Sequence, residues 1–304
     1  MTETMIDRAR GALVGLAVGD ALGTTLEFST RDAQPHHTEM TGGGPFRLKP
    51  GVWTDDTSMA LALADSLVAC GGFDPVDAMQ RFLGWYRDGN YSPTGECFDI
   101  GGTTREALNR YERTGMAIAG STDEMSAGNG SVMRLAPVAI FASGDAALCA
   151  RIAAAQSRTT HGAPQAVDGC VLLADRLRRA ISGEGRETLL APQPFDGHPA
   201  VQDIAAGTWR GRARAAISAS GYVVHTLEAA FWAVAGTSSF EEALIRAVNL
   251  GDDADTVGAV TGQIAGALYG MSAIPARWLA PLAWRDRLVA AADDLLSAGR
   301  AAAT

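Results

Sequence analysis

The sequence of 304 residues predicts an all-α fold, and two observations carry that prediction. Apolar residues recur at spacings of three and four along most of the chain, which is the pattern of one buried helix face. Sustained alternation of apolar and polar residues, the pattern of a half-buried strand, is nearly absent. Because no linker separates two apolar regions, we expect a single domain over residues 1–304.

Local signals place the individual helices. Pro75 suits the first turn of a helix over 75–88, and Gly183 ends a helix over 163–182. The string Ser238-Ser239-Phe240-Glu241-Glu242 offers a capping box for a helix over 243–250. Helical patterns predict the remaining helices over 6–22, 57–70, 103–114, 131–142, 145–157, 222–235, 257–274 and 284–298.

The predicted connections between these helices are few and rich in glycine or proline. They cover residues 24–53, 88–102, 116–130 and 183–220. The last of them is long enough that we expect it to contribute to function, for example by shaping substrate specificity.

Glycines recur every four residues in the predicted helix over 257–274, at Gly258, Gly262, Gly266 and Gly270. A glycine inside a helix costs about 0.5–1 kcal/mol relative to alanine. The stripe therefore predicts that another backbone packs closely against this helix.

Composition argues against several classes of function. The net charge of −9 argues against a nucleic-acid partner, which would need a basic face. The four cysteines form no CxxC pair, which argues against a thiolate zinc site and predicts reduced thiols in a cytoplasmic protein. The first ten residues carry charges of both signs and lack the apolar core of a secretory signal. Polar residues interrupt the apolar window 257–274, which predicts a buried helix and no membrane span.

Two acidic strings open two apolar helices about 200 residues apart. They are Thr54-Asp55-Asp56-Thr57 and Asp252-Asp253-Ala254-Asp255-Thr256. Helix capping explains one such residue per helix, whereas clustered carboxylates repel one another unless a cation neutralises them. Ligands that are all oxygen favour hard ions such as Mg²⁺, Mn²⁺ or Ca²⁺. Capping and a metal site are both open from the residue types alone.

Further polar residues stand beside glycine-rich turns. Glu27 follows Gly19-Asp20-Ala21-Leu22-Gly23, and Asp99 precedes a predicted helix that it could cap. Asn129 lies between two glycines, an arrangement that could present backbone N–H groups to an anion. His161 follows two threonines and could simply be a hydrogen-bonded core residue.

Taken in order, these strings resemble the ADP-ribosylglycohydrolases, and most closely the bacterial type that reactivates dinitrogenase reductase. The resemblance runs from about residue 8 to residue 298. It rests on Gly19-Asp20-Ala21-Leu22-Gly23 with Glu27, Thr54-Asp55-Asp56-Thr57, Asp99-Ile100-Gly101-Gly102-Thr103-Thr104, Gly128-Asn129-Gly130-Ser131 to Arg134, Thr160-His161, Ser220-Gly221-Tyr222-Val223 and Asp253-Ala254-Asp255-Thr256.

The resemblance implies an orthogonal helical bundle with a two-metal centre in a central cleft. It implies hydrolysis of the bond between ribose C1″ of ADP-ribose and an acceptor, typically an arginine nitrogen, with two divalent cations, Mg²⁺ or Mn²⁺. Asp99 and Glu27 fall on the catalytic carboxylate positions, and Asp252 stands where the family often has glycine. The implied metal ligands are Thr54, Asp55, Asp56, Asp253, Asp255 and Thr256.

The resemblance also assigns the substrate contacts. The diphosphate and the adenosine end fall to Gly128, Asn129, Gly130, Ser131, Met133, Arg134 and Tyr222, and His161 joins them. The expected partner is an ADP-ribosylated protein or ADP-ribose itself. The acceptor group stays open between arginine, serine, another protein group, a nucleic acid and a small molecule, and we expect a monomer.

Two other functions fit parts of the pattern. Terpenoid-type diphosphate enzymes are also all-α and bind Mg²⁺ through aspartate-rich strings, but Asp55-Asp56-Thr57-Ser58-Met59 lacks their acid at the fifth position. The second alternative is a non-catalytic protein that binds ADP-ribose or blocks a partner, as immunity proteins do. Turnover of ADP-ribosyl-arginine separates it from an enzyme.

Overall fold

The computed structural model describes residues 2–302, and in that range the chain forms α-helices joined by turns and loops, without a β-sheet. The all-α prediction is confirmed. The α-helices are α1 (Glu3–Gly23), α2 (Asp55–Cys70), α3 (Pro75–Asp88), α4 (Gly102–Thr114), α5 (Ala136–Phe141), α6 (Ala146–Thr160), α7 (Pro164–Ile181), α8 (Arg186–Leu190), α9 (Pro199–Ala206), α10 (Val223–Ala235), α11 (Phe240–Val248), α12 (Ala254–Tyr269), α13 (Ala276–Leu279) and α14 (Arg285–Ala302).

Three predicted segments differ most from the structure. The helix expected over 131–142 shrinks to α5, because residues before it form turns in which Val132 and Met133 both donate to the Asn129 carbonyl. The connection 183–220 contains α8, α9 and a short 3-10 turn, Arg214–Ala216. The helix expected over 257–274 ends at Tyr269, because Gly270 turns the chain with φ +84° and ψ 166°.

Helices α1 and α12 form the centre of the molecule, where both are buried along most of their length. The backbone predicted to pack against the glycine stripe of α12 is that of α1, which has a matching row of glycines. A Cβ added at Gly15 would lie 2.4 Å from the Gly262 carbonyl oxygen, and one added at Gly19 would lie 2.0 Å from that of Gly258. The two backbones are therefore in direct contact, with no side chain between them.

The glycine contact places polar residues at one end of this central pair. Gly23 lies against Ala254, so the last turn of α1 meets the first turn of α12. Asp20 on α1 and the loop after Gly23 are thereby brought to the acidic start of α12. None of the helices in the described range is both long and apolar enough to cross a membrane.

Candidate active site

A cleft of about 400 Å³ opens where the starts of α2, α4 and α12 meet the glycine-containing loop before α5. Its wall and floor contain residues from both acidic strings, although these are far apart in the chain. The lining comprises Glu27, Phe28, Asp55, Asp99, Ile100, Gly101, Gly102, Thr103, Thr104, Gly128, Asn129, Gly130, Met133, His161, Gly221, Asp252, Asp253, Asp255 and Thr256.

Carboxylates converge at the floor of this cleft. Oxygens of Asp20, Asp56 and Asp255 lie within 4.8 Å of one another, and so do oxygens of Glu27, Asp253 and Asp255. Asp255 belongs to both groups and joins them. The two acidic strings therefore form one continuous oxygen-rich site, in keeping with the central cleft that the family resemblance implies.

Burial sets the protonation of these groups. It raises the pKa of Asp20, Asp253 and Asp255 to about 7, with neighbouring carboxylates adding to the shift. Burial, followed by like charges nearby, holds the pKa of Asp55 and Asp56 well above the usual range. Within residues 2–302 no ion pair is formed by these carboxylates, so the clustered negative charges favour a positively charged ligand.

The residues present fit a divalent metal ion. Oδ1 of Asp56 is buried and has no hydrogen-bond partner among residues 2–302, although burial of such an oxygen is unfavourable unless something binds it. The Thr54 hydroxyl donates to Asp20 Oδ1 at 2.9 Å, which leaves its lone pairs available to a cation. The donor set is all oxygen, which suits a hard ion.

Asp20 is a site residue for which the sequence analysis proposed no role. Its carboxylate accepts hydrogen bonds from the backbone N–H and the hydroxyl of both Thr54 and Thr57, at 2.6–3.0 Å. It therefore caps α2 from another helix, as a negative charge at a helix start should. The signal in the sequence was a lone acidic residue inside the apolar pattern of the first helix.

Glu27 and Asp99 both lie in the cleft, and each contacts Asp255. Glu27 Oε2 accepts from the backbone N–H groups of Ala254 at 2.8 Å and of Asp255 at 3.3 Å. Burial and the charge of Asp255 hold the pKa of Glu27 far above its usual range. Glu27 is thus tied to the start of α12 and belongs to the carboxylate cluster.

Asp99 occupies a different environment. Burial raises the pKa of this half-buried group to about 6, and its carboxyl contacts that of Asp255. Its backbone has φ +60°, a left-handed conformation that few residues other than glycine adopt. It makes no hydrogen bond to the backbone of α4 in the described range, so the capping alternative does not hold.

The loop before α5 and His161 form one wall of the cleft. A Cβ at Gly130 would lie 2.7 Å from Cε1 of His161, so only glycine fits beside the ring. Asn129 donates from Nδ2 to Asp253 Oδ2 at 2.7 Å and to Thr226 Oγ1 at 2.9 Å. Asn129 thereby positions a carboxylate of the cluster as well as facing the cleft.

Ser131 and Arg134 were predicted to contact the substrate, but their side chains do not line the cleft. Both are fully buried. Ser131 bonds to the Ser157 hydroxyl, and the Arg134 guanidinium donates to Gln156 and, at 2.8 Å, to Thr160 Oγ1. They pack the loop against α6 instead of contacting a ligand.

Arg134 nevertheless acts on the cleft through His161. The polar neighbours of Thr160 Oγ1 are Arg134, which can only donate, and Nδ1 of His161 at 2.8 Å. This arrangement favours donation of the hydroxyl proton to Nδ1, which would leave the ring proton on Nε2. Burial, aided by the Arg134 charge, lowers the pKa of His161 to about 3 and keeps the ring neutral.

The remaining predicted residues lie at or near the cleft. Met133 and Thr256 line it, and Thr54 is buried beneath it between Asp20 and Asp255. Tyr222 is half-buried and pairs through its backbone with Gly128, next to the cleft but outside its lining.

Comparison with known proteins identifies the family. A family model described as ADP-ribosylglycohydrolase matches residues 1–303. The chain belongs to the ADP-ribosylglycohydrolase family. The resemblance inferred from the sequence motifs is thereby confirmed.

Individual relatives within the family are similar over nearly the whole chain. The ADP-ribosylarginine hydrolase Tri1 of Pseudomonas putida (strain GB-1) is 48% identical over 96% of this chain and 79% of its own length. The ADP-ribosyl-[dinitrogen reductase] glycohydrolase of Rhodospirillum rubrum is 39% identical over 91% of this chain and 90% of its own. A solved structure described as an ADP-ribosylglycohydrolase-related protein complex has a TM-score of 0.86 and 46% identity, and covers 98% of this chain and 100% of the other.

Proposed function

We propose that this family member hydrolyses the bond between C1″ of ADP-ribose and a guanidinium nitrogen of ADP-ribosylated arginine. The observation that carries the proposal is the convergence of two remote acidic strings on one cleft beside a neutral histidine and a glycine-containing loop. Two relatives, from Pseudomonas putida and Serratia proteamaculans, are named ADP-ribosylarginine hydrolases and are 48% and 47% identical to this chain. The four cysteines are all free, which supports a cytoplasmic setting.

The proposed cofactor is a pair of divalent cations, Mg²⁺ or Mn²⁺. The unpartnered Asp56 Oδ1 and the raised carboxyl pKa values support this assignment. When bound, such ions polarise ribose oxygens and lower the pKa of a coordinated water. The residues proposed to hold them are Thr54, Asp55, Asp56, Asp253, Asp255 and Thr256, with Asp20 positioning the first string.

In the proposed mechanism, Asp99 acts on the reacting atoms. Its carboxylate takes a proton from the attacking water and faces the positive charge that develops at C1″ as the C–N bond breaks. The arginine leaves as a guanidine, which takes up one proton and becomes a guanidinium again. Asp99 lines the cleft and its carboxyl contacts that of Asp255, so it lies beside the proposed metal ligands without being one of them, which suits it to this role.

The opposite wall holds the rest of the ligand. His161 and the loop residues Gly128, Asn129 and Gly130 line this wall, and Nε2–H of His161 would be a donor suited to the diphosphate of ADP-ribose. Glu27 holds the first turn of α12 and thereby keeps Asp253 and Asp255 at the reacting end.

The deciding experiment is a turnover assay on ADP-ribosyl-arginine with Mg²⁺, with Mn²⁺ and after chelation. We expect release of ADP-ribose that depends on added metal. Full activity in metal-free protein would contradict the cofactor assignment. Binding of ADP-ribose without any turnover would instead favour the non-catalytic alternative.

A further inference from the structure

We propose that Phe28 and Asp252 form the subsite for the arginine guanidinium of the substrate, an inference that rests on the proposed function. Both residues line the cleft beside Glu27, yet neither belongs to the carboxylate floor. Phe28 is 67% exposed and lines the cleft, so its ring is available to a bound ligand.

Aromatic rings border the reacting end of the cleft. Phe28 directly follows Glu27, and Phe98 directly precedes Asp99. Phe46 lies between them, with ring centroids 6.3 Å from Phe28 and 5.3 Å from Phe98. The two carboxylates nearest the scissile bond are thus flanked by a row of three rings, which is continuous with the proposed catalytic site.

The loop that carries Phe28 is held rigidly. Its N–H donates to the Asp252 carbonyl at 2.8 Å, and the Asp252 N–H donates to the Ser29 carbonyl at 2.8 Å. Phe28 and Asp252 both have left-handed backbones, with φ +58° and +60°. Arg31 fastens the same loop by donating to the Leu250 carbonyl at 3.0 Å. A ring fixed in this way loses little entropy when a ligand covers it.

The chemistry of this surface selects a planar cation. A guanidinium stacks on aromatic faces and pairs with carboxylates, and the exposed Asp252 supplies a carboxylate to the same cleft, on a backbone that is hydrogen-bonded to that of Phe28. The diphosphate end of ADP-ribose is anionic and would be repelled by Asp252. The arginine of the acceptor therefore lies over Phe28, while ADP-ribose extends toward His161.

The test compares how substitutions affect two compounds, the substrate ADP-ribosyl-arginine and ADP-ribose, which lacks the arginine. We expect Phe28→Ala and Asp252→Asn to raise KM for ADP-ribosyl-arginine on the order of tenfold, while the Kd of ADP-ribose stays within about twofold. Met116→Ala is the matched control, since Met116 is 65% exposed and lies outside the cleft lining. An unchanged KM in Phe28→Ala, or an equal loss of ADP-ribose affinity, would overturn the subsite.

The parent protein shows whether the proposed function fails independently of the subsite. If the parent does not cleave ADP-ribosyl-arginine, calorimetry with this intact compound and with ADP-ribose still measures the subsite. The subsite then predicts that the parent binds the arginine conjugate about tenfold more tightly than ADP-ribose, and that Phe28→Ala removes this preference. Equal binding of the two compounds by the parent would overturn it.

Discussion

The role of several side chains in this site depends on which neighbour receives their hydrogen-bonding proton. The Thr54 hydroxyl gives its proton to Asp20 and keeps its lone pairs for the cleft floor. The Thr160 hydroxyl is placed to give its proton to His161, which would leave a donor at Nε2. The carboxylates differ in the same way, because Glu27 accepts two backbone N–H groups while Asp99 accepts none in the described range. This difference supports the proposal that Asp99, whose one carboxyl contact described above is with Asp255, acts on the substrate.

Substitution of Asp99 should separate catalysis from metal binding. We expect Asp99→Asn to lower kcat on the order of a hundredfold, because it removes the base and the charge that faces C1″. Metal and ADP-ribose should still bind, as measured by calorimetry. Asp255→Asn is the comparison, since it removes a charge shared by both carboxylate groups and should reduce metal occupancy together with turnover. A kcat of Asp99→Asn within a few-fold of the parent would move the catalytic role to Glu27.

The His161 tautomer is testable without an activity assay. Nitrogen NMR of the labelled parent should show a neutral ring with the proton on Nε2 at pH 6–8, because its pKa is lowered to about 3. Thr160→Val removes the donor to Nδ1, so we expect the tautomers to mix and ADP-ribose to bind a few-fold more weakly. Thr160→Ser retains the hydroxyl and should behave as the parent. A parent ring protonated on Nδ1 would contradict the proposed chain from Arg134 to the cleft.

Among the helices, the pair α1 and α12 decides where the site forms. Glycines let the two backbones touch, and this contact brings Asp20 and Glu27 to the start of α12. The stripe on α12 predicted a close partner, but periodicity gives no information about which helix that partner is. That α1 is the partner of α12 follows only from the match between the glycine stripes of the two helices. Without this pairing, Asp20 could not be assigned to the site.

An added methyl group at this contact should disturb both the fold and the site. A Cβ at Gly262 would lie 2.0 Å from the Gly15 carbonyl oxygen, and neither backbone can yield without moving a helix. We expect Gly262→Ala to lower stability by about 2 kcal/mol or more and to weaken metal binding. Gly72→Ala is the control, because nothing lies within 4 Å of its Cβ position. Equal unfolding midpoints in urea for the two variants would contradict the close contact.

The whole molecule is arranged so that repulsive charges are held together by its packing. The residue types left capping and a metal site both open for the two acidic strings, and only the family resemblance implied that the strings meet in one cleft. The sequence did not predict the inward turn of Arg134 or the exposed ring of Phe28, because these depend on hydrogen bonds and packing between remote segments. The expected single domain and the residue roles stay predictions. The structure shows that these carboxylates are buried close together, so their mutual repulsion lowers the stability of the folded state until a cation binds.

That repulsion predicts an unusual pH dependence of stability for the metal-free protein. The carboxyl groups of Asp20, Asp253 and Asp255 have folded pKa values of about 7, above the ordinary value of about 4. Between these two pKa values the folded state therefore binds more protons than the unfolded state. The free energy of unfolding must then fall as pH rises from about 5 to 8.

Calorimetric Tm values after chelation should accordingly decrease from pH 5.5 to pH 8. Metal binds the ionised carboxylates and competes with protons, so the rise in Tm on adding Mn²⁺ should be larger at pH 8 than at pH 5.5. Asp255→Asn removes the group shared by both carboxylate clusters and should flatten both trends. A metal-free Tm that is constant or rises between these pH values would show that the carboxylates do not carry the raised pKa values on which the metal site depends.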